Sequence, residues 1–104
     1  MTEQADARLE ALAAGRLKLV GDLSFRSVPG LLETARDMIG EVAEITVDLA
    51  DVRRSDSAGV ALLVEWMRDA RRQGKSITYL NIPSQMLAIA RVSSLDTVLP
   101  LFRD

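Results

Sequence analysis

The sequence contains no cysteine and no histidine among its 104 residues. These two absences exclude disulfides, thiol nucleophiles, zinc sites built from Cys and His, and every acid or base that uses an imidazole. The 13 basic and 15 acidic side chains give a formal net charge of -2, whereas a nucleic-acid interface usually needs a clustered basic excess. We therefore expect no nucleic-acid partner, no metal and no cofactor.

Long apolar runs are missing as well. The run from Ala58 to Val64 has seven residues and includes a glycine, whereas a membrane-spanning helix requires about 20. The N-terminal residues 1–6 are acidic where a secretory signal needs positive charge. The sequence thus predicts a cytoplasmic chain without direct membrane insertion, with residues 1–6 as a flexible tail and residues 7–104 as one domain.

The hydrophobic pattern predicts alternating strands and helices. Residues 8–13 suit a helix by composition, but Gly15 permits a hairpin with the alternating segment after it, so we assign them as a strand. The predicted elements are strands over 8–13 and 16–20, a helix from about 27 to 39, a strand over 45–49, a charged loop over 51–56, a helix over 57–73, a strand over 76–80, and helices over 84–92 and 95–102. This order predicts the α/β class: a small, mostly parallel mixed sheet with an N-terminal hairpin and helices packed against it.

The most informative segment is Asp56-Ser57-Ala58-Gly59, where a predicted strand gives way to the longest helix. Ser57 has two interpretations. It is either the N-cap of the helix or an exposed hydroxyl that a kinase modifies or a partner recognises. A phosphate on Ser57 would interact favourably with the positive end of the helix, and it would place roughly two negative charges beside Asp56.

A helical projection of the long helix separates two groups of apolar residues. At roughly 100° per residue, a core stripe contains Val60, Leu63, Val64, Met67 and Ala70. Leu62 and Trp66 fall on a flank of that stripe, where either a neighbouring helix covers them or they form an exposed apolar patch. We expect Ala58, Leu62 and Trp66, together with Ser57, to form part of a docking surface.

An enzyme is the main alternative class. Asp48, Asp51 and Asp56 lie near the end of a predicted strand, where α/β sheets place ligands. No acidic pair follows the first strands, as a response-regulator receiver would require, and Gly21, Gly30 and Gly40 are isolated and form no phosphate-binding loop. We interpret the three aspartates as solvated loop residues and the chain as non-catalytic.

The run Asp56 to Gly59, preceded by a hydrophobic strand that ends in Asp48-Leu49, resembles the signature of the STAS domain family, named after sulfate transporters and anti-sigma factor antagonists. The similarity extends over nearly the whole chain, through residues 20–23, 74–75, 89–92 and 94–95. Residues 61–68 and 70–75 most closely resemble the stand-alone STAS subunit of the Mla phospholipid-transport ABC system, which maintains outer-membrane lipid asymmetry.

The resemblance implies the STAS fold and a binding module that docks on an ABC transporter ATPase, with the membrane permease in the same complex. Such a chain is peripheral to the inner membrane through its partner. The alternative that the resemblance implies is an anti-sigma factor antagonist, phosphorylated on Ser57 by a kinase-type anti-sigma factor. The antagonists usually carry a second serine where this chain has Ala58, which favours the transporter role. The resemblance assigns partner binding or regulation to Ser57. We place Asp56, Ala58 and Gly59 in the same site, because the small residues allow the first turn of the helix to lie close to another backbone or to a partner surface.

Overall fold

The computed structural model describes residues 7–102. In chain order its elements are β1 (Ala7–Ala13), β2 (Arg16–Leu23), α1 (Val28–Ile39), β3 (Glu44–Ser55), α2 (Ser57–Arg72), β4 (Ser76–Leu80) and α3 (Ser84–Val92). The strands form one sheet in the order β1-β2-β3-β4. β1 pairs with β2 antiparallel, and the other two pairings are parallel. The predicted mixed sheet with an N-terminal hairpin is confirmed, and the predicted tail over 1–6 lies outside the described residues.

The hydrophobic core lies on one face of the sheet. Along β2, buried residues alternate with half-buried or exposed ones, as they do in the first part of β3, because successive side chains of a strand point to opposite faces. All three helices contact the sheet: α1 packs on β1, α2 on β3 and β4, and α3 on β3. The other face carries polar side chains, among them Lys18 and Asp51, which form an ion pair at 3.0 Å.

The predicted charged loop over 51–56 is wrong, because β3 continues to Ser55. Its second half pairs with the second half of β2, so that Ser55 lies opposite Leu23, and Val52 is buried. β2 also runs past residue 20, where the predicted strand ends, and continues to Leu23. Gly21 adopts φ +108° next to an irregularity in the strand register, which lets the strand bend and continue.

The other helices and strands agree with the predictions, except at the C-terminal end. The expected helix over 95–102 is not formed, and turns lie over 96–98 instead. The backbone N–H of Tyr79 donates to the carbonyl of Pro100 (3.0 Å), and that of Phe102 donates to the carbonyl of Tyr79 (2.9 Å). A one-residue parallel bridge at Leu101 is thereby added to the outer edge of β4.

No helix within residues 7–102 is both long enough and apolar enough to span a membrane.

Candidate functional site

The junction between β3 and α2 brings the carboxylate of Asp56 and the hydroxyl of Ser57 to the surface. Asp56 has an extended backbone, and its Oδ1 accepts a hydrogen bond from the backbone N–H of Ala58 at 2.8 Å. Asp56 is therefore the N-cap of α2, and the interpretation of Ser57 as the cap is wrong. Ser57 is the first residue of the helix, it is exposed, and its hydroxyl forms no hydrogen bond with any residue in 7–102.

Three hydrogen bonds fix the position of this junction. The backbone N–H of Asp56 donates to the carbonyl of Leu23 at 3.2 Å. Ser55 is buried, its backbone N–H donates to Oε1 of Gln85 at 3.0 Å, and its hydroxyl donates to the carbonyl of Asp56 at 2.9 Å. The exposed hydroxyl of Ser57 is consequently carried on a backbone fixed by β2, β3 and α3.

Gly59 serves the packing of this junction and not its surface. It is buried, and a Cβ atom at this position would overlap Oγ of Ser55 and lie 2.9 Å from Cβ of Leu23. The small residue, expected to lie close to another backbone or to a partner surface, thus allows the first turn of α2 to approach the chain's own strands. Ala58, by contrast, is half-buried beside Ser57.

The prediction that Leu62 and Trp66 form an exposed apolar patch is wrong. Leu62 is 1% exposed and Trp66 is 4% exposed, because α1 packs beside α2 and covers this flank. Trp66 faces a cleft that Leu32 and Ala35 of α1 also line. The side chains of Leu62 and Trp66 are therefore not part of the accessible surface of the described chain.

An exposed aromatic residue that the sequence reasoning missed lies close to the same junction. Phe25 is 73% exposed in the turn between β2 and α1. The turn is ordered by Ser27, whose Oγ donates to the carbonyl of Asp22 (3.1 Å) and accepts from the backbone N–H of Ser24 (3.0 Å). The sequence did contain a signal for this exposed residue. Phe25 lies in a short segment between two serines and does not belong to the apolar stripe of a helix.

The turn and the junction enclose one open cleft. Its lining is mostly polar and includes residues on both sides of Phe25: Asp22, Ser24, Arg26, Arg54, Asp56 and Gln85. The cleft carries both signs of charge, and Asp22 forms an ion pair with Arg53 at 3.4 Å. We group the exposed residues Phe25, Arg54, Asp56 and Ser57 with the half-buried Ala58 and call this group the Ser57 edge.

The three aspartates considered for catalysis do not converge on one point. Oδ1 of Asp48 accepts from the side chain of Asn81 (3.0 Å) and from the backbone N–H of Ala50 (2.9 Å), and these bonds hold the pKa of Asp48 below its ordinary value. Asp51 pairs with Lys18, and Asp56 caps α2. Each carboxylate thus has its own local partner, and within residues 7–102 no three acidic side chains are grouped as metal ligands.

Similar structures are known for this fold. The chain superposes on the anti-sigma factor antagonist SpoIIAA in its unphosphorylated form with a TM-score of 0.72 and 20% identity, covering 92% of this chain and 85% of that one. The phosphorylated form, described as a Bacillus cell fate determinant, gives a TM-score of 0.65 and 22% identity, covering 92% and 88%. An anti-sigma factor antagonist from Mycobacterium paratuberculosis gives a TM-score of 0.74 and 13% identity, covering 100% and 92%. At these identities the likeness concerns the fold.

The amino-acid sequence was matched to one family, whereas the structural likeness concerns only the fold. No curated protein matches the chain. A family model described as "Mlab, STAS domain" matches residues 7–101, which include the four strands, the three helices and the Ser57 edge. The chain therefore belongs to the Mlab-type STAS domain family.

Proposed function

We propose that this chain is a non-catalytic cytoplasmic subunit that binds and regulates the ATPase of an Mla-type phospholipid-transport ABC transporter. The observation that carries the proposal is the Ser57 edge in a chain matched over residues 7–101 by the Mlab-type family. The ATPase belongs to a complex with a membrane permease, so the chain is held peripherally at the inner membrane through its partner. Such a transporter maintains the lipid asymmetry of the outer membrane.

The physical support comes from how the Ser57 edge is built. The hydroxyl of Ser57 has no partner within residues 7–102 and is mounted on a junction fixed by the hydrogen bonds of Ser55 and Asp56. A fixed donor and acceptor loses little conformational freedom when a partner binds it. Phe25 adds an exposed aromatic side chain, the residue class enriched at the centres of protein interfaces.

A role without catalysis accounts for the surrounding charges. Asp48, Asp51 and Asp56 are each engaged in a local contact. The exposed groups that remain on the Ser57 edge are a hydroxyl, an aromatic ring and the guanidinium of Arg54, which forms no ion pair within residues 7–102. These groups suit recognition of another protein, with Arg54 available to an acidic residue of the partner.

The alternative is an anti-sigma factor antagonist controlled by phosphorylation of Ser57. It is supported by the shared fold with SpoIIAA, which is known in a phosphorylated and an unphosphorylated form. A phosphate on Ser57 would add about -1.5 to -2 charges beside the carboxylate of Asp56. In this alternative the partner is a kinase-type anti-sigma factor that modifies Ser57 and then releases the chain.

The test is affinity capture with the tagged full chain from its native cytosol and solubilised membranes, followed by identification of the bound proteins. Recovery of an ABC ATPase together with a permease supports the transporter role. Recovery of a kinase-type anti-sigma factor, with mass spectrometry showing ATP-dependent phosphate on Ser57, supports the alternative. Recovery of neither class contradicts both functions.

Matched variants show whether the Ser57 edge carries the binding. Ser57→Asp and Phe25→Ser are expected to reduce capture of the ATPase at least tenfold without lowering the melting temperature, because both side chains are exposed. Val92→Ser, which removes an 89% exposed apolar side chain at the end of α3, is the control and should bind normally. Equal loss of binding in all three variants would contradict docking through this edge.

A further inference from the structure

A second cleft lies between α1 and α2, distinct from the Ser57 edge. Its volume is about 110 Å³, and part of it is open to solvent. Apolar side chains from both helices and from β3 line its floor: Leu32, Ala35, Ile39, Ile45, Trp66 and Ala70. Small-molecule sites typically combine an apolar lining with a few polar groups, and a ligand larger than this cleft requires the cleft to widen.

Trp66 and Gln73 both line this cleft, and the indole of Trp66 is the polar group that lacks a partner. Trp66 is 4% exposed, and its Nε1 is buried without a hydrogen-bond partner among the described residues. Buried indole N–H groups normally have an acceptor, because a donor removed from water without one is unfavourable. A ligand that brings an oxygen atom to this cleft would supply the missing acceptor.

The rim of the cleft is cationic. Arg36 and Lys75 both line it, and Arg36 forms no ion pair within residues 7–102. Nζ of Lys75 donates to the carbonyl of Gly40, which leaves its charge uncompensated. The acidic residue at the rim, Asp69, is already paired with Arg72 on its own helix. The electrostatic complement of this rim is an anion.

α1 forms one wall of the cleft and has few buried residues, so that its outward movement would make room for a ligand. Only Leu31 and Ala35 are fully buried among the 12 residues of α1, whereas seven residues of the 16-residue α2 are buried. A helix with few buried apolar contacts opens at lower free energy than the elements around it. Outward displacement of α1 would widen the cleft and expose Nε1 of Trp66.

We propose that the cleft between α1 and α2 is a binding site for a medium-chain carboxylic acid, with its aliphatic chain on the apolar floor and its carboxylate oxygens reaching the cationic rim and the indole N–H. The cleft is separate from the Ser57 edge, so the site does not depend on which protein the chain docks on. The ligand class follows from an apolar floor, one unpaired donor and a rim with excess positive charge.

Trp66 makes the test direct, because it is the only tryptophan of the chain. Decanoate, kept below its micelle concentration, is titrated into the full chain while the emission of Trp66 is recorded, and 1-decanol is the uncharged comparison. We expect a saturable change with decanoate and at least fivefold weaker binding of decanol. No saturable change with decanoate, or equal binding of the two compounds, would overturn the proposal.

Variants locate the site. The double variant Arg36→Gln/Lys75→Gln is expected to weaken decanoate binding at least fivefold, and Leu32→Phe, which fills the cleft, is expected to abolish it. Arg53→Gln/Arg54→Gln removes the same charge from the Ser57 edge and the residue beside it, and it should leave the affinity unchanged. Because Arg36 is exposed and Lys75 is half-buried at the rim, the charge variants stay interpretable if Leu32→Phe impairs folding. Equal affinity in the two double variants would contradict binding in this cleft.

Discussion

The backbone N–H of Ser55 donates to Oε1 of Gln85 at 3.0 Å, across 30 positions of the chain. This bond joins the last residue of β3 to the first turn of α3. Since Ser55 immediately precedes the cap of α2, α3 contributes directly to the position of Ser57. The candidate site is thus supported by an element that carries none of its exposed residues.

Removing the side chain of Gln85 should loosen this junction. Gln85→Ala leaves the amide of Ser55 without its acceptor, and the free energy of unfolding is expected to fall by about 1–3 kcal/mol. Chemical denaturation measures the loss, and the amide of Ser55 should exchange its hydrogen faster. Gln85→Glu keeps an acceptor oxygen and should lose less. An unchanged exchange rate in Gln85→Ala would show that the bond contributes nothing.

A methyl group at Gly59 should be far more costly than one at Gly30. In Gly59→Ala the new Cβ would overlap Oγ of Ser55 and crowd Leu23, so overpacking is expected to cost about 1–3 kcal/mol. At Gly30, inside α1, no atom lies within 4 Å of the new Cβ, and Gly30→Ala should stabilise the chain by about 0.5–1 kcal/mol. Thermal unfolding of the two variants decides the matter, and equal shifts would refute the close packing of α2.

The cap of α2 can be tested by a pair of substitutions at one position. Asp56→Ala removes the acceptor for the N–H of Ala58 and is expected to destabilise the chain by about 1 kcal/mol. Asp56→Asn retains a capping oxygen and should remain near the stability of the parent. Urea unfolding compares them. If Ser57→Ala proved the more destabilising change, Ser57 and not Asp56 would be the cap.

Asp48 should contribute to the acid sensitivity of the fold. Hydrogen bonds from Asn81 and from the N–H of Ala50 hold its pKa below the ordinary value of 3.8. A carboxyl with a lowered pKa stabilises the folded state above its unfolded pKa, and this stabilisation disappears as pH falls through the folded pKa. Asp48→Asn keeps an acceptor oxygen but cannot titrate. The parent should therefore lose more stability than the variant as pH falls from about 5, through the unfolded value of 3.8, to below the pKa of the folded state.

Unfolding by urea at several pH values measures this difference. The two profiles are expected to converge at low pH, because the protonated carboxyl and the amide then carry the same charge. Parallel profiles over the whole pH range would show that the titration of Asp48 does not contribute to the loss of stability in acid.

Much of the fold could be predicted from local signals. The helices and the shorter strands follow hydrophobic periodicity, and Pro29 and Gly74 mark where helices begin and end. The second half of β3 could not be predicted in this way, because its charged residues lie on exposed positions of the strand and read as a loop. Its pairing with β2 is a tertiary contact that no local pattern encodes.

The candidate site was predicted only in part. The position of the strand-to-helix junction could be predicted from the sequence, because residues that favour the N-cap precede a strongly amphipathic helix. The choice between Asp56 and Ser57 as cap depends on backbone angles, since both residue types cap well. The burial of Leu62 and Trp66 depends on where α1 packs, and a helical projection gives the direction of a side chain without saying what covers it.

The bridge between Tyr79 and Leu101 has a consequence for how the sheet meets other molecules. Within residues 7–102, β1 has no strand on its outer side, and there Arg8 and Glu10 form an ion pair that disfavours recruitment of a foreign strand. At the opposite border, residues 100–102 lie against β4 at Tyr79. Removing Pro100, Leu101 and Phe102 would bare β4, and this edge, which is not protected as β1 is, would be open to pairing with a foreign strand.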